Sequence, residues 1–168
     1  MNHPILDKAK LSTKGCDYSE FEMGHVYEHH WGRTFSHAES ALFTTLTMHF
    51  NPTYFNLEYA KAMGHRDMPL NPLLVFTTVF GLSVEDLSET STAFLGVDDL
   101  KYHAPVYPGD TIRARSTVKG LRASKKNPET GVATWRTEGF NQRGELVCDF
   151  TRSNRFKRVP SKPPKGEQ

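Results

Sequence analysis

The chain has 168 residues and a formal net charge of +2, which is the size of one domain with a sizeable core. The nearly balanced charge gives no reason to expect a nucleic-acid or membrane partner. Cys16 and Cys148 lack the CxxC or zinc-finger spacing of a metal site, so we expect a reduced, cytoplasmic chain that binds no metal. The first residues contain no apolar segment of the kind that directs secretion, which favours the same compartment.

The chain is expected to begin with a loose arm over residues 1–19 and a strand over residues 25–35. The strand segment alternates in part between apolar and polar residues, as a half-buried strand does. His29 and His30 are adjacent, so in a strand they point to opposite faces and cannot share a metal ion. We expect both histidines to lie at the surface or to be only partly packed.

Two short helices should follow this strand. Ser36 and Glu39 have the spacing of a capping box, which satisfies two N–H groups at a helix start. That helix must end by Asn51-Pro52, because the residue before a proline is pushed out of the helical region. The second helix is predicted over residues 57–63, with Gly64 as its stop.

Residues 69–89 are apolar nearly all round and form the centre of the predicted fold. Asn71 is a good N-cap, and Pro72 follows at the first helical position, where its missing N–H is not needed. A helix without a polar face is buried on most sides, so the rest of the chain must wrap it. Thr77, Thr78 and the acidic end make the stretch too polar to span a membrane.

After residue 88 the apolar period changes from 3.6 to 2, which predicts strands. The expected strands and strand-like pieces are residues 92–98, 100–104, 111–121, 132–141 and 145–157. The sequence therefore predicts an α+β domain over residues 20–159, in which a curved antiparallel sheet wraps one long helix. Residues 160–168 are rich in proline and charge and are expected to be a flexible tail. Open sheet edges favour pairing of two sheets in a dimer.

Several short motifs along these elements are shared with a known family. They are Gly32-Arg33-Thr34, Leu42-Phe43-Thr44, Asn51-Pro52, Tyr59-Ala60, Gly64, Leu82-Ser83 and Pro105-Val106-Tyr107-Pro108-Gly109-Asp110-Thr111. Together they resemble the MaoC-like, or (R)-specific enoyl-CoA hydratase, family of the hot-dog fold, over residues 20–158. Leu95-Gly96, the segment 81–87 and Asn141-Gln142-Arg143-Gly144 are most similar to the branch that acts on mesaconyl-CoA and itaconyl-CoA. The resemblance implies a hot-dog domain that binds an acyl-CoA thioester, needs no separate cofactor and forms a homodimer or higher homo-oligomer.

The resemblance also implies the position of a site. The family motif Asp-x-Asn-Pro-x-His, whose Asp and His activate one water molecule, aligns with His49, Asn51-Pro52 and Tyr54. His49 is then the expected base, Tyr54 its catalytic partner and Asn51 a brace for the loop. Where the family has His-Gly at the start of the core helix, this chain has Asn71-Pro72. Since proline has no N–H, the expected donor to the thioester oxygen is the Asn71 side chain or the backbone of Leu73.

Basic residues late in the chain are candidates for the phosphates of CoA. They are Arg122, Lys125 and Lys126, together with the strand over residues 152–158. Charge-assisted hydrogen bonds from Arg and Lys to phosphate are strong, which favours this role. A solvated sheet face explains the same residues equally well.

Two classes of function follow from the resemblance. The first is a hydratase or dehydratase that adds water to the double bond of a 2-enoyl-CoA thioester, for example a branched dicarboxylic one such as mesaconyl-CoA. The second is a non-catalytic acyl-CoA-binding subunit, regulatory or the silent half of a heterodimer, because the family Asp/His pair is replaced. In that case His49 only caps the end of its helix, and the ring of Tyr54 only lines the wall of the binding site. A thioesterase shares the fold, but no clear nucleophile or acidic residue stands at the loop.

Overall fold

Five antiparallel strands and one central helix organise the computed structural model, which describes residues 15–158. The helices and strands are β1 (Val26–Thr34), α1 (His37–Leu46), α2 (Leu57–Ala62), α3 (Pro72–Leu82), α4 (Val84–Leu87), β2 (Ala93–Tyr102), β3 (Thr111–Ala123), β4 (Thr130–Phe140) and β5 (Leu146–Lys157). Two 3-10 turns lie at Tyr18–Glu20 and Pro52–Tyr54. The sheet order is β1-β3-β4-β5-β2, with every neighbouring pair antiparallel, so the predicted α+β class is confirmed.

The central helix α3 begins as the sequence predicts. Asn71 is its N-cap, Pro72 is its first residue, and the Asn71 Oδ1 accepts the N–H of Leu73 at 3.0 Å. On the sheet side, a Cβ added at Gly139 of β4 would lie 2.5 Å from Val79 Cγ2. The helix can therefore press this closely on the sheet only because β4 has a glycine there.

The helical stretch is divided at Ser83, whereas the sequence predicted one helix to about Leu87. The Ser83 backbone N–H bonds to the carbonyl of Phe80 at 3.2 Å, and its hydroxyl donates to the same oxygen at 2.7 Å. These tight local bonds compete with the helical pattern and end α3, and Ser83 is also the N-cap of α4. No helix in residues 15–158 is long and apolar enough to cross a membrane.

The apolar core has two parts along the sheet. The larger lies under α3 and contains the buried residues Phe35, Leu70, Leu74, Val75, Val79, Val106, Ile112, Ala114, Val147, Cys148 and Phe150. The smaller, at the other end of the sheet, contains Phe21, Leu87, Val118, Ala133, Trp135 and Phe156. In the larger part, buried side chains of β3 and β5 thus pack against one helix, α3.

The two adjacent histidines of β1 face opposite sides, as predicted, but their burial differs from the expectation. His30 is exposed, whereas His29 is buried, with Nδ1 at 2.6 Å from Asp86 Oδ2 and Nε2 at 2.9 Å from Ser116 Oγ. Burial lowers the pKa of His29, although the Asp86 carboxylate opposes this change. The prediction that His29 lies at the surface or is only partly packed was wrong. His29 is the one buried side chain of β1, and Asp86 and Ser116 bind both of its ring nitrogens.

The turn between β2 and β3 ties the sheet to the start of α3. The backbone N–H of Leu70 donates to the carbonyl of Val106 at 2.8 Å. The buried Asp110 accepts the N–H of Tyr107 at 3.0 Å and the amide of Gln142 at 2.8 Å. Burial alone would raise the pKa of Asp110, but these bonds and the nearby Arg143 lower it. An ionised Asp110 therefore fixes the turn that stands beside the first residues of α3.

The described part of the predicted arm packs on the domain. The N–H of Gly15 donates to the carbonyl of Glu85 at 2.9 Å, and the hydroxyl of Thr90 donates to the carbonyl of Cys16 at 2.6 Å. The domain therefore begins before residue 20. The rest of the predicted arm and the predicted tail over residues 160–168 lie outside the described residues.

Candidate active site

Asn71 lies at the start of α3 as a fully buried side chain, and all its polar side-chain atoms have partners. Its Oδ1 accepts the N–H of Leu73 at 3.0 Å. Its Nδ2 donates to Thr44 Oγ1 at 2.9 Å and lies 3.1 Å from His49 Nδ1. Because the N–H of Leu73 can only donate, the carbonyl oxygen of the amide must face it. The end of Asn71 that faces His49 is therefore the NH₂ group.

This contact determines which nitrogen of His49 carries the proton. Nδ1 accepts a hydrogen bond from Asn71, so in the neutral ring the proton is on Nε2. The remaining ring nitrogen, Nε2, is thus a donor, not an acceptor. The geometry argues against His49 as a base, which was the role expected from the family motif.

Tyr54 lies next to His49, with the two ring centroids 5.7 Å apart. It also lines a cleft of about 280 Å³ beside the start of α3. The cleft is lined by Thr53, Tyr54, His65, Pro69, Leu70, Pro72, Val75, Tyr102, His103, Ala104, Pro105 and Val106. Burial raises the pKa of Tyr54 and raises that of Tyr102 to about 12. Both hydroxyls are neutral at physiological pH. The Tyr102 hydroxyl already donates to the carbonyl of Pro72 at 2.9 Å, so the Tyr54 hydroxyl is the one that can donate to a ligand in the cleft.

The residues expected to contact the thioester have structural roles instead. Both hydrogens of the Asn71 amide are engaged by Thr44 and His49, and the side chain is inaccessible. The N–H of Leu73 is used by the Asn71 cap. The prediction that Asn71 or Leu73 donates to the thioester oxygen is therefore corrected. The cap uses the N–H of Leu73, and Thr44 and His49 use the amide hydrogens of Asn71. Asn51 accepts the N–H of Thr53 at 3.0 Å and so braces its loop.

The basic residues proposed for CoA phosphates lie far from the cleft within one chain. Lys125 and Lys126 are exposed in the connection after β3, and Arg122 is exposed near the end of β3. The thirteen residues of β3 span roughly 40 Å, and the cleft lies near the opposite end of that strand. Within one chain, Arg122, Lys125 and Lys126 therefore do not lie near His49. Their role in phosphate binding stays a prediction.

Arg152 was grouped with these candidates, and its position is different. Its side chain is fully buried, with the guanidinium carbon 4.3 Å from the ring centroid of Phe80 and 5.2 Å from that of Trp135. Burial lowers the pKa of Arg152 to about 10. A phosphate cannot reach this side chain, so the prediction was wrong for Arg152, because that residue points to the core side of β5.

The sequence did not indicate a second ionisable pair at the cleft, His103 with Asp149. His103 lines the cleft directly after β2, and its Nε2 hydrogen-bonds to Oδ1 of Asp149 on β5. The other carboxylate oxygen accepts from Arg136 Nη2 at 2.8 Å. The residues are 46 positions apart and meet through the register of β2 on β5, so no local motif could have shown them. Among residues 15–158, no group of three or more His, Cys, Asp or Glu side chains is arranged to hold a metal ion.

Solved structures with the same architecture define the class of this domain. A MaoC domain protein dehydratase from Chloroflexus aurantiacus superposes with a TM-score of 0.84 and 31% identity, over 95% of this chain and 45% of that one. A protein from Mycobacterium tuberculosis, described as having a double hotdog fold, superposes with a TM-score of 0.77 and 26% identity, over 89% of this chain and 46% of that one. The domain therefore has the hot-dog fold.

The sequence comparison defines the family. A family model described as mesaconyl-CoA hydratase matches residues 2–167. The mesaconyl-CoA hydratase of Haloarcula hispanica is 34% identical over 155 residues, which are 92% of this chain and 43% of the relative. The chain belongs to the mesaconyl-CoA hydratase family of MaoC-like proteins. It spans about half the length of the relatives that it matches.

Proposed function

We propose that the chain is a hydro-lyase that adds water to the double bond of a 2-enoyl-CoA thioester, with the branched dicarboxylic mesaconyl-CoA as its substrate. The observation that carries this proposal is the match of the mesaconyl-CoA hydratase model to nearly the whole chain. A cleft lined by the neutral hydroxyl of Tyr54 and by the histidines His65 and His103, beside a helix start, supports it. The cleft contains titratable side chains of the kinds used in proton transfer, which a purely structural subunit would not require.

Each group at the start of α3 has a part in this reaction. The Nε2–H of His49 is a donor suited to the thioester oxygen, where negative charge develops as water adds to the double bond. The positive end of the α3 dipole favours the same charge. The neutral hydroxyl of Tyr54 is suited to orient the attacking water. A base that accepts a proton from water is still required.

We expect the purified chain to consume mesaconyl-CoA and to hydrate crotonyl-CoA more slowly. Loss of the enoyl-thioester absorbance and chromatography of the hydroxyacyl product measure this. Release of free CoA from butyryl-CoA serves as the control for a thioesterase. Tight binding of mesaconyl-CoA without conversion of any enoyl thioester would contradict the proposal and support a non-catalytic subunit.

We further propose that the active form pairs with a second copy of the same chain. Two of the comparable structures have about twice the length, and one of these is described as a double hot-dog. A second copy of this chain would supply what their other half supplies. Large apolar side chains on α1, α2 and their loop are exposed in the single chain. They are Leu42, Leu46, Met48, Phe50, Phe55, Leu57, Tyr59 and Met63. An apolar patch of this extent marks a surface that another subunit covers.

Leu46→Glu combined with Phe50→Glu should convert the dimer to a monomer of 19.1 kDa. These side chains are 73% and 62% exposed in the single chain, and burying each in an interface contributes about 1.5–3 kcal/mol. Their loss should therefore raise the dimer Kd about 100-fold or more, as measured by sedimentation equilibrium. Met23→Glu is the matched control, because Met23 is 61% exposed outside this patch. A wild-type chain that sediments as a monomer at micromolar concentration would contradict the pairing.

A further inference from the structure

The geometry points to His103, held by Asp149, as the general base that takes a proton from water. This inference rests on the proposed hydration and assigns a step that His49 and Tyr54 leave open. His103 follows β2, lines the cleft and has 37% of its side chain exposed. It is thus within the site, yet it lies outside the family motif at residues 49–54.

The partner of His103 fixes where its proton is. An ionised carboxylate can only accept hydrogen bonds, so the Nε2 of His103 must carry the hydrogen that Asp149 accepts. In the neutral ring Nδ1 then has a lone pair. Within residues 15–158, no hydrogen bond to this Nδ1 is formed, so the lone pair is available.

Asp149 is placed to support a positive charge on His103. The carboxylate is 5% exposed and also accepts from Arg136 at 2.8 Å, which balances its own charge. When Nδ1 takes a proton, the imidazolium lies against a fixed carboxylate and needs no rearrangement. An aspartate that orients a histidine base and stabilises its charged form is a recurrent arrangement in enzymes.

The other titratable groups that line the cleft do not meet this requirement, and neither does His49, which lies beside Tyr54 but does not line the cleft. Burial raises the pKa of Tyr54 and raises that of Tyr102 to about 12, so both are donors and not bases. The free nitrogen of His49 carries a hydrogen because its other nitrogen accepts from an amide. The Nδ1 of His65 faces a tyrosine hydroxyl at 3.1 Å, which can donate or accept and so fixes no tautomer. His103 is therefore the histidine whose hydrogen-bond partner, Asp149, leaves a lone pair on the other ring nitrogen.

The step balances with the groups present. The oxygen of water forms a bond to Cβ of the enoyl thioester while one proton of that water moves to Nδ1 of His103. The electron pair of the double bond moves toward Cα and is delocalised onto the thioester oxygen, which the Nε2–H of His49 stabilises. The imidazolium of His103 then returns its proton to Cα, which yields the hydroxyacyl thioester and restores the neutral ring. No further reactant is consumed.

Replacement of His103 by glutamine tests this role. The amide can still donate to Asp149 but has no basic nitrogen, so we expect kcat for mesaconyl-CoA to fall about 10²–10⁴-fold while KM changes little. His103→Ala should regain part of the activity when imidazole is added. His37→Gln is the matched control, because His37 contacts Asp67 at 3.1 Å but does not line the cleft. Thermal unfolding of each variant reports whether the fold is retained.

The outcomes separate this inference from the proposed function. An active wild type whose His103→Gln variant keeps kcat would overturn the base assignment and leave the hydratase proposal intact. A loss in His103→Ala that imidazole does not restore, in a folded variant, would also count against it. A wild type that converts no enoyl thioester would overturn both. Nitrogen NMR of the imidazole should show Nε2 protonated and Nδ1 bare, and a protonated Nδ1 in the neutral ring would overturn the assignment without any activity measurement.

Discussion

Replacing Asn71 by leucine should lower the free energy of unfolding by about 3–5 kcal/mol. The substitution removes the N-cap of α3, and such caps are worth about 0.5–2 kcal/mol. It also removes the amide that donates to the buried Thr44 hydroxyl and to the partly buried His49 ring. Each unsatisfied buried polar group costs about 1–3 kcal/mol. Urea denaturation of the purified variant measures the sum.

Asn56→Leu is the matched control for this substitution. Asn56 caps α2 by accepting the N–H of Tyr59 at 3.1 Å, but its side chain is exposed. Water can therefore replace the lost bonds, and we expect a cost of about 1 kcal/mol. Equal costs for the two substitutions would show that the Asn71 network contributes nothing beyond capping.

Much of the fold follows from short-range patterns. Asn71-Pro72 predicted the start of α3, and the Ser36–Glu39 pair predicted the start of α1, because capping depends on neighbours in the chain. The break at Ser83 was missed since a serine hydroxyl can bond to its own helix or point away, and the sequence does not say which. Alternation placed the long strands, yet the buried position of His29 depends on a partner 57 residues away.

At the site, too, contacts between residues close in sequence could be predicted, whereas contacts between distant residues could not. His49, Asn51 and Tyr54 lie within six residues, so a motif was enough to predict that they are neighbours. The contact that decides the tautomer of His49 spans 22 residues, and the contact between His103 and Asp149 spans 46. Such contacts are set by helix packing and strand register. The sequence was therefore enough to predict that His49 and Tyr54 are neighbours, whereas the hydrogen-bond partners of His49 and His103 required the fold.

Replacing His49 by alanine should lower kcat for mesaconyl-CoA about 10²–10³-fold, the usual cost of removing one donor to a developing oxyanion. Tyr54→Phe should cost less, because the ring that lines the cleft is retained. Steady-state kinetics on folded variants measures both effects, with His37→Ala as the control outside the cleft.

His49→Gln distinguishes a donor from a base at this position. The glutamine amide keeps an N–H but has no basic nitrogen, so a donor role predicts activity well above that of His49→Ala. A base role predicts that both variants are equally inactive. Since Asn71 holds the Nδ1 of His49 as an acceptor, we expect the glutamine variant to retain the larger activity. Equal losses in the two variants would return the role of base to His49 and remove the need for His103.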